Sequence, residues 1–346
     1  MNRTQLRLTL VAIAVLVLLP PMRLYASPSL TPDTPPTQTF ALTDTKDLIE
    51  QGLHAEPAEY LGRKAVRLTR PGEDGAGMVM LKGSQFHDGT IEVDLATKVT
   101  APPGQRAPGF TGIAFRAAPD ASHFELFYLR PGNSHAQDQA MRNHSVQYVS
   151  EPSFPWQKLR REWPSVYESW ANLQPEQWTH IKIDVHGRKA RLYINNSPDP
   201  SLTIDGLKGD TLDGAVALWG YTREESYFSN LKITSDAPEA ITNDGEIAGT
   251  WTVTCLGDYG SFAGTMKLVR EGSTIAGLWS GGLGPDQPVS GTWRDGYVEL
   301  TVSGTWPELP GSVTATLAGW IDKNSGTGRM KIEGLTDGRW SATRKQ

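Results

Sequence analysis

Hydrophobic and polar residues alternate along several segments of the chain. In 90–97 (TIEVDLAT), the side chains of Ile91, Val93 and Leu95 fall on one strand face, and most polar side chains fall on the other. The segment 180–186 (HIKIDVH) repeats this alternation. A period of two in short runs that are bounded by Gly, Pro and Asp predicts half-buried antiparallel strands. We therefore expect an all-β fold that begins with a β-sandwich.

The last hundred residues carry a different pattern, a repeat of Gly-x-Trp and Gly-x-Met. Gly-x-Trp begins at Gly249, Gly277, Gly291, Gly304 and Gly338, Gly-x-Met begins at Gly264 and Gly328, and Gly319-Trp320 is a shortened copy. Successive Trp or Met positions are 10 to 15 residues apart, the length of one strand and one turn. About eight short strands of this kind avoid exposed edges by closing into a barrel. We therefore predict a small antiparallel β-barrel whose interior the large side chains fill.

The first 26 residues have the features of a signal peptide. Arg3 and Arg7 precede the unbroken apolar run 8–19, and a small residue, Ala26, ends the segment. The apolar run is shorter than the ~20 residues that a membrane-spanning helix needs. The pattern predicts cleavage after residue 26, export to the periplasm or the medium, and no membrane span in the mature protein.

Polar and Pro-rich stretches divide the remainder of the chain. The residues 27–44 form a Pro/Thr-rich spacer. A second polar stretch, 235–246, contains Pro, Asn, Asp and Gly and predicts a linker. These two stretches place a sandwich domain at 45–234 and the barrel at 247–346.

Charge and histidine spacing exclude several classes of ligand. The formal net charge is −5, and the chain has no block of Lys and Arg, so we expect neither nucleic acid nor an anionic membrane surface as a partner. His87, His135 and His144 lack the spacing of metal ligands, which argues against a transition-metal site. A Ca²⁺ ion held by Asp or Asn loops stays open as a cofactor, without a location.

Short strand motifs in 45–234 carry a resemblance to a known fold. They are, in order, FHDGTIEVDL at 86–95, GFTGIAFR at 109–116, FELF at 124–127, WTHIKI at 178–183 and LYIN at 192–195. With these motifs the segment resembles the concanavalin A-like lectin/glucanase superfamily, and within it the 3-keto-disaccharide hydrolase and laminin-G-like families. The resemblance implies a jelly-roll sandwich, a carbohydrate partner and, in the hydrolase family, cleavage of a glycosidic bond. The C-terminal repeat is similar in style to avidin- and lipocalin-like barrels.

Three polar residues on two neighbouring strands form the first candidate site. If Phe115 and Phe124 point inward, then Arg116, His123 and Glu125 share the opposite face of the sheet. This arrangement would bring together a bidentate donor, a titratable base and an acid. We interpret Glu125 as an acid/base, assisted by His123 or Arg116. The alternative is an ordinary cross-strand salt bridge.

A long insertion, 130–177, supplies the second set of candidates. Planar polar side chains suit sugar hydroxyls, and aromatic rings suit the C–H face of a sugar, when a rigid sandwich presents them at its mouth. The carbohydrate-binding candidates are Arg130, Asn143, Gln147, Tyr148, Trp156 and, on a later strand, Trp219. The tryptophans of the insertion could equally form a small core that fixes it. Within the insertion, the segment 155–163 predicts a short helix.

Three functional hypotheses therefore remain at this point. The first is a saccharide-cleaving enzyme, and the second is a carbohydrate-binding protein without turnover. The third is a structural or adhesive envelope protein, because the six tryptophans of the last hundred residues also suit protein contacts.

Overall fold

A computed structural model describes residues 36–70, 75–99, 107–222, 224–236, 247–258, 260–306 and 310–345. The predicted signal peptide, 1–26, lies outside the described residues, as do 27–35 of the spacer and 237–246 of the linker. Residues 35–346 form one compact unit. The boundaries that we assign to the sandwich and the barrel stay predictions.

The first part of the chain is a sandwich of two antiparallel sheets. Its strands are β1 (Thr37–Phe40), β2 (Leu48–Gln51), β3 (His54–Tyr60), β4 (Arg63–Thr69), β5 (Ala76–Leu81), β6 (Asp88–Val99), β7 (Thr111–Ala117), β8 (Phe124–Leu129), β9 (Val146–Glu151), β10 (Glu168–Ser169), β11 (Thr179–His186), β12 (Lys189–Ile194), β13 (Leu202–Ile204), β14 (Ala215–Tyr221) and β15 (Glu224–Asp236). The first sheet runs β13-β12-β11-β6-β15-β4-β3 with β1 beside β15, and the second runs β10-β9-β8-β7-β14-β5-β2. The predicted jelly-roll sandwich is confirmed.

The sandwich core lies between the two sheets. Ile91 and Val93 of β6 are fully buried, as their alternation predicts, and Ile183 of β11 is buried beside them. Phe115 and Phe127 of the second sheet stack with ring centroids 6.0 Å apart. Burial of such side chains from both sheets supplies most of the energy that holds the layers together.

The predicted insertion is partly a continuation of the sheet. The described part contains the short helices α1 (Pro131–Ser134), α2 (Gln139–Arg142) and α3 (Trp156–Glu162). The helix that we expect at 155–163 is confirmed. The expectation of one long loop is wrong, because β9 and β10 extend the second sheet. β9 (VQYVSE) is buried on both faces, so its sequence lacks the alternation that marks a half-buried strand.

The second part of the chain is a closed barrel. Its strands are β16 (Gly249–Gly257), β17 (Gly260–Glu271), β18 (Thr274–Gly281), β19 (Gly284–Arg294), β20 (Tyr297–Thr305), β21 (Ser312–Asp322), β22 (Ser325–Ile332) and β23 (Thr336–Arg344). The predicted small antiparallel barrel is confirmed. Trp251, Trp279 and Trp340 are fully buried in its interior. A spacing of two places each Gly and its Trp on the same strand face. For these three rings that face is the interior of the barrel.

One tryptophan of the repeat points the other way. In the shortened copy, Gly319 and Trp320 are adjacent, so their side-chain positions lie on opposite faces of β21. Trp320 packs against Tyr297 with ring centroids 5.3 Å apart, and its Nε1 donates a hydrogen bond to the backbone oxygen of Asp205 at 2.8 Å. This ring therefore contacts the sandwich.

Candidate functional site

A small pocket opens at one end of the sandwich, with a volume of about 250 Å³. Most of its lining is polar or charged. The lining residues are Arg116, His123, Phe124, Glu125, Ser150, Glu151, Pro152, Ser153, Lys208, Gly209, Asp210 and Thr211. All three residues that we predicted as catalytic therefore line one pocket.

A β-bulge gives Arg116 its direction. Ala215 of β14 pairs with Ala117 and Ala217 pairs with Ala114, so two residues of β7 stand opposite one residue of β14. Arg116 lies at this bulge with a φ of 50°, in the left-handed region. A bulge re-aims side chains and interrupts the alternation of faces. Ordinary alternation therefore does not give the position of the Arg116 guanidinium.

The register between β7 and β8 corrects our assignment of strand faces. Phe115 pairs directly with Glu125, so these two side chains share a face. The expectation that Phe115 points inward while Glu125 points outward is wrong. Glu125 lies on the face that looks toward the other sheet, at the end of the core, and only 1% of it is exposed.

The guanidinium of Arg116 is buried and held by three groups. Its Nη2 donates to the backbone oxygens of His87 at 2.8 Å and Gly187 at 2.7 Å, and to Asp88 Oδ1 at 3.1 Å. Nε also donates to His87, at 3.1 Å. Its third nitrogen, Nη1, is buried and has no hydrogen-bond partner among the described residues.

The carboxyl group of Glu125 is satisfied on one side only. Oε1 accepts a hydrogen bond from the backbone N–H of Gly209 at 2.8 Å. Oε2 is buried, and the described part of the chain offers it no partner. Burial raises the pKa of Glu125, and the charge of Arg116 and the N–H of Gly209 oppose this rise. The pocket thus contains a carboxyl group whose pKa lies above that of an ordinary glutamate.

A loop that our sequence analysis missed forms one wall of the pocket. We call residues 205–211 (DGLKGDT) the pocket loop. The hydroxyl of Tyr148 accepts from the backbone N–H of Lys208 at 2.7 Å, so Tyr148 supports this loop from below. Arg188 donates to the backbone oxygens of Leu207 at 3.2 Å and Gly209 at 2.6 Å. The two glycines of the loop were the available sequence signal, because glycine permits a close approach of other groups.

A second carboxyl group, Glu151, lines the same pocket. β9 pairs Glu151 with Phe124, so the two carboxyl groups of Glu125 and Glu151 leave the sheet on opposite faces, at its end. Burial raises the pKa of Glu151 as well. His123 precedes β8 and completes the set of titratable groups around the opening. A pair of carboxyl groups and an imidazole can exchange protons with a bound molecule.

Several predicted sugar-binding residues lie on the other face of the second sheet. Trp219, Gly112, Tyr128, Gln147 and Glu168 pair one after another across five strands and so share one face. The rings of Trp219 and Tyr128 are 5.2 Å apart. Residues 125 and 128 of β8 are an odd number of positions apart, so this row and Glu125 lie on opposite faces.

The remaining predicted residues divide between these places. Arg130 belongs to the row, because its Nη2 donates to the Tyr128 hydroxyl at 2.6 Å. Trp156 reaches the row through Arg160, which lies 4.6 Å from the Trp156 ring and donates to Glu168 at 2.6 Å. Asn143 joins neither place, since it caps α2 and accepts from Gln139.

The tryptophans of the insertion differ in burial. Trp163 is 8% exposed and packs in the sandwich core, as the small-core alternative predicts. Trp156 is 37% exposed and Trp170 is 48% exposed, so these rings contribute surface. The two alternatives therefore apply to different residues.

Two further features of the described part of the chain are its potential metal-binding side chains and its helices. No group of three or more His, Cys, Asp or Glu side chains there could hold a metal ion. No helix among the described residues has both the length and the apolar character to cross a membrane.

No protein-family model matches the sequence, and no curated protein does. The fold is similar to solved structures that include a carbohydrate binding module, CBM66, from Bacillus subtilis (14% identity, TM-score 0.36, 54% of this chain and 97% of that chain). Others are a VIP36 exoplasmic/lumenal domain in a Ca²⁺/Man3GlcNAc-bound form (12%, 0.36, 58% and 93%) and a GlcNAcα1-4Gal-releasing endo-β-galactosidase from Clostridium perfringens (9%, 0.34, 93% and 100%). Likeness at this level carries no information about activity.

Proposed function

We propose that this protein binds a saccharide in the pocket at the end of the sandwich. The observation that carries the proposal is the pair of buried, unpartnered atoms on its wall, Glu125 Oε2 and Arg116 Nη1. A buried polar atom without a partner costs about 1–3 kcal/mol. A hydroxyl group both donates and accepts, so the neighbouring hydroxyls of one sugar ring can donate to the carboxyl group and accept from the guanidinium.

The rest of the lining suits the same ligand. Ser150, Ser153 and Thr211 offer hydroxyl groups, and the ring of Phe124 offers an apolar surface. The volume of about 250 Å³ is below the usual range of ligand pockets and favours one sugar ring at the end of a chain. The signal-peptide pattern of residues 1–26 supports an exported protein, secreted or periplasmic.

A second candidate function is hydrolysis of the glycosidic bond next to that ring. Hydrolysis usually requires two carboxyl groups, of which one is a protonated acid. Burial raises the pKa of both Glu125 and Glu151, the direction of shift that a general acid needs. In this role Glu125 protonates the leaving oxygen, with His123 or Arg116 assisting. The resemblance to 3-keto-disaccharide hydrolases points to the same reaction.

A glycan array, followed by a reducing-sugar assay on every bound glycan, tests both functions. Glu125→Gln keeps the shape of the side chain and removes its titration. Binding should weaken by ~0.5–1.5 kcal/mol, the net value of a hydrogen bond between neutral groups. If the protein hydrolyses the glycan, the rate should fall by ~10²-fold or more, the scale of general acid–base catalysis.

Glu92→Gln is the matched control, because Glu92 faces Lys232 and His180 on the outer side of the first sheet. It should leave binding and turnover unchanged. Equal affinity of Glu125→Gln and the wild-type protein would overturn the pocket as the site. A protein that retains no glycan would favour the structural or adhesive alternative.

A further inference from the structure

On its sandwich side the pocket loop donates three backbone N–H hydrogen bonds, one of them from Leu207 to the backbone oxygen of Arg188 at 2.8 Å. Gly209 donates to Glu125, and Lys208 donates to the Tyr148 hydroxyl. Fixing the backbone of an irregular segment costs ~1–2 kcal/mol per residue, so seven residues of loop need many contacts to stay ordered. From the same side, Arg188 donates to the backbone oxygens of Leu207 and Gly209.

The barrel supplies contacts on the other side of the same loop. Arg294 of β19 donates to the backbone oxygen of Lys208 at 2.9 Å and pairs with Asp210 at 3.0 Å. The ammonium group of Lys208 forms an ion pair with Glu299 of β20. Trp320 of β21 donates to the backbone oxygen of Asp205. Three barrel strands thus contact a loop whose far side lines the pocket.

The ion pair between Lys208 and Glu299 is buried on the lysine side, where 4% of the side chain is exposed. Burial and the nearby charge of Arg294 lower the pKa of Lys208 to about 7, whereas direct contact with the Glu299 carboxylate favours the charged ammonium group. We take the charged pair as the state in this structure, because the two groups are in direct contact. Removal of one partner from a buried pair is strongly unfavourable, so without Glu299 the lysine would leave its position.

Both glycines of the pocket loop lie against neighbours that leave no room for a side chain. A Cβ on Gly206 would stand 2.2 Å from the ring of Tyr297, which belongs to the barrel. A Cβ on Gly209 would stand 2.2 Å from Oε1 of Glu125, which belongs to the pocket. The loop is therefore packed tightly between the barrel and the carboxyl group.

We propose that the barrel positions the ligand pocket of the sandwich, with Glu299 and Arg294 as positioning residues that hold the pocket loop against Glu125. The barrel then needs no ligand of its own to serve binding. The part of this proposal that concerns saccharide affinity rests on the proposed function, and the part that concerns the loop does not.

Hydrogen–deuterium exchange on the full chain tests the loop without any ligand. In Glu299→Gln, exchange of the Gly209 amide should rise about tenfold or more, since its hydrogen bond to Glu125 would open. Glu333→Gln is the control, because Glu333 is an exposed barrel glutamate outside the loop contacts. Gly206→Ala pushes the barrel away from the loop without removing a charge, and it should also raise Gly209 exchange.

Affinity for the mono- and disaccharides that the wild-type protein retains on the array supplies the second measurement. Glu299→Gln should bind them about tenfold more weakly than Glu333→Gln does. Higher Gly209 exchange in a protein that binds no glycan would support the positioning of the loop and contradict the proposed function. Unchanged Gly209 exchange in both Glu299→Gln and Gly206→Ala would overturn the positioning role, whatever the affinity.

Discussion

The interiors of the sandwich and the barrel differ in chemistry. The buried side chains of the described barrel residues are apolar, with Trp251, Trp279 and Trp340 among the largest. Every buried polar or charged residue of the described chain lies at or before Ser229, in the sandwich; Arg116 is one of these. Burial of a charged group is unfavourable by several kcal/mol, so a protein retains such groups where they serve a site or fix a loop. The comparison indicates that apolar packing alone fills the described barrel interior, whereas the sandwich interior also buries charged groups beside the pocket.

The experiment with the largest expected effect is the unfolding of the barrel as a separate fragment. We expect the fragment 247–346 to fold by itself, because its sheet closes on itself and its core is apolar. Glu299 and Asp295, which face the sandwich in the full chain, would become solvated carboxylates at little cost. Thermal unfolding of the fragment by circular dichroism should show one cooperative transition. A fragment without such a transition would show that the barrel depends on the sandwich.

A single side chain of the barrel core should have the next largest effect. Trp251→Ala removes a fully buried ring and the hydrogen bond from its Nε1 to the backbone oxygen of Ile247. The free energy of unfolding should fall by about 3–5 kcal/mol in a denaturant titration, as is typical of buried Trp→Ala changes. Leu256→Ala, on the exposed outer side of β16, is the control and should stay within ~0.5 kcal/mol of the wild type. A loss below 1 kcal/mol in Trp251→Ala would contradict a well-packed barrel.

Burial of the acid Glu224 in the sandwich predicts that the stability of the protein depends on pH. Burial raises the pKa of Glu224 from 4.5 to about 7, although the N–H groups of Gly109 and Phe110 donate to it. The folded protein therefore binds an extra proton between pH 4.5 and 7, so the stability contributed by Glu224 falls as the pH rises through this window.

Glu224→Gln removes this titration. The variant should match the wild type in stability near pH 4.5 and exceed it by about 3 kcal/mol at pH 8, because a pKa raised from 4.5 to about 7 corresponds to about that free energy. Denaturant titrations of both proteins at the two pH values supply the comparison. Equal differences at both pH values would show that Glu224 does not titrate in this range.

The smallest expected effect concerns the surface of the sandwich. Trp156→Ala removes a partly exposed ring that contacts Arg160, a cation–π contact worth ~0.5–1 kcal/mol at an exposed site. The unfolding free energy should fall by no more than about 1 kcal/mol. Trp163→Ala, at a buried ring of the same segment, should cost about 3–5 kcal/mol. Similar losses in the two variants would mean that Trp156 belongs to the core.

The sequence patterns predicted the fold where local spacing decides it. Alternation located β6 and β11, and the Gly-x-Trp repeat located the barrel, because a strand period of two depends on neighbouring residues alone. Alternation did not identify the strand β9, because both of its faces are buried. A continuous apolar or mixed run has no period from which a strand can be recognised.

The candidate site was less accessible to prediction, since tertiary contacts build it. Arg116 and Glu125 do line one pocket, yet a bulge and the strand register bring them there, and neither leaves a signal in the sequence. Lys208 of the pocket loop contacts Glu299, and Arg188 contacts Leu207 of that loop; these partners are distant in the chain, and no local pattern records them. Arg130, Gln147 and Trp219 fall on the other sheet face, so residue type alone did not separate the two faces.

The shortened repeat at Gly319-Trp320 breaks the symmetry of the barrel. A barrel of eight similar strands could pack against another surface in many nearly equivalent orientations. Because Gly and Trp are adjacent in this copy, the Trp side chain points to the outer face of its strand. One aromatic ring therefore lies on the exterior of the barrel. That ring meets Asp205, and it lies next to Tyr297, which covers Gly206. A change of one residue in the spacing of a repeat can thus give a repetitive barrel one preferred orientation against the neighbouring domain.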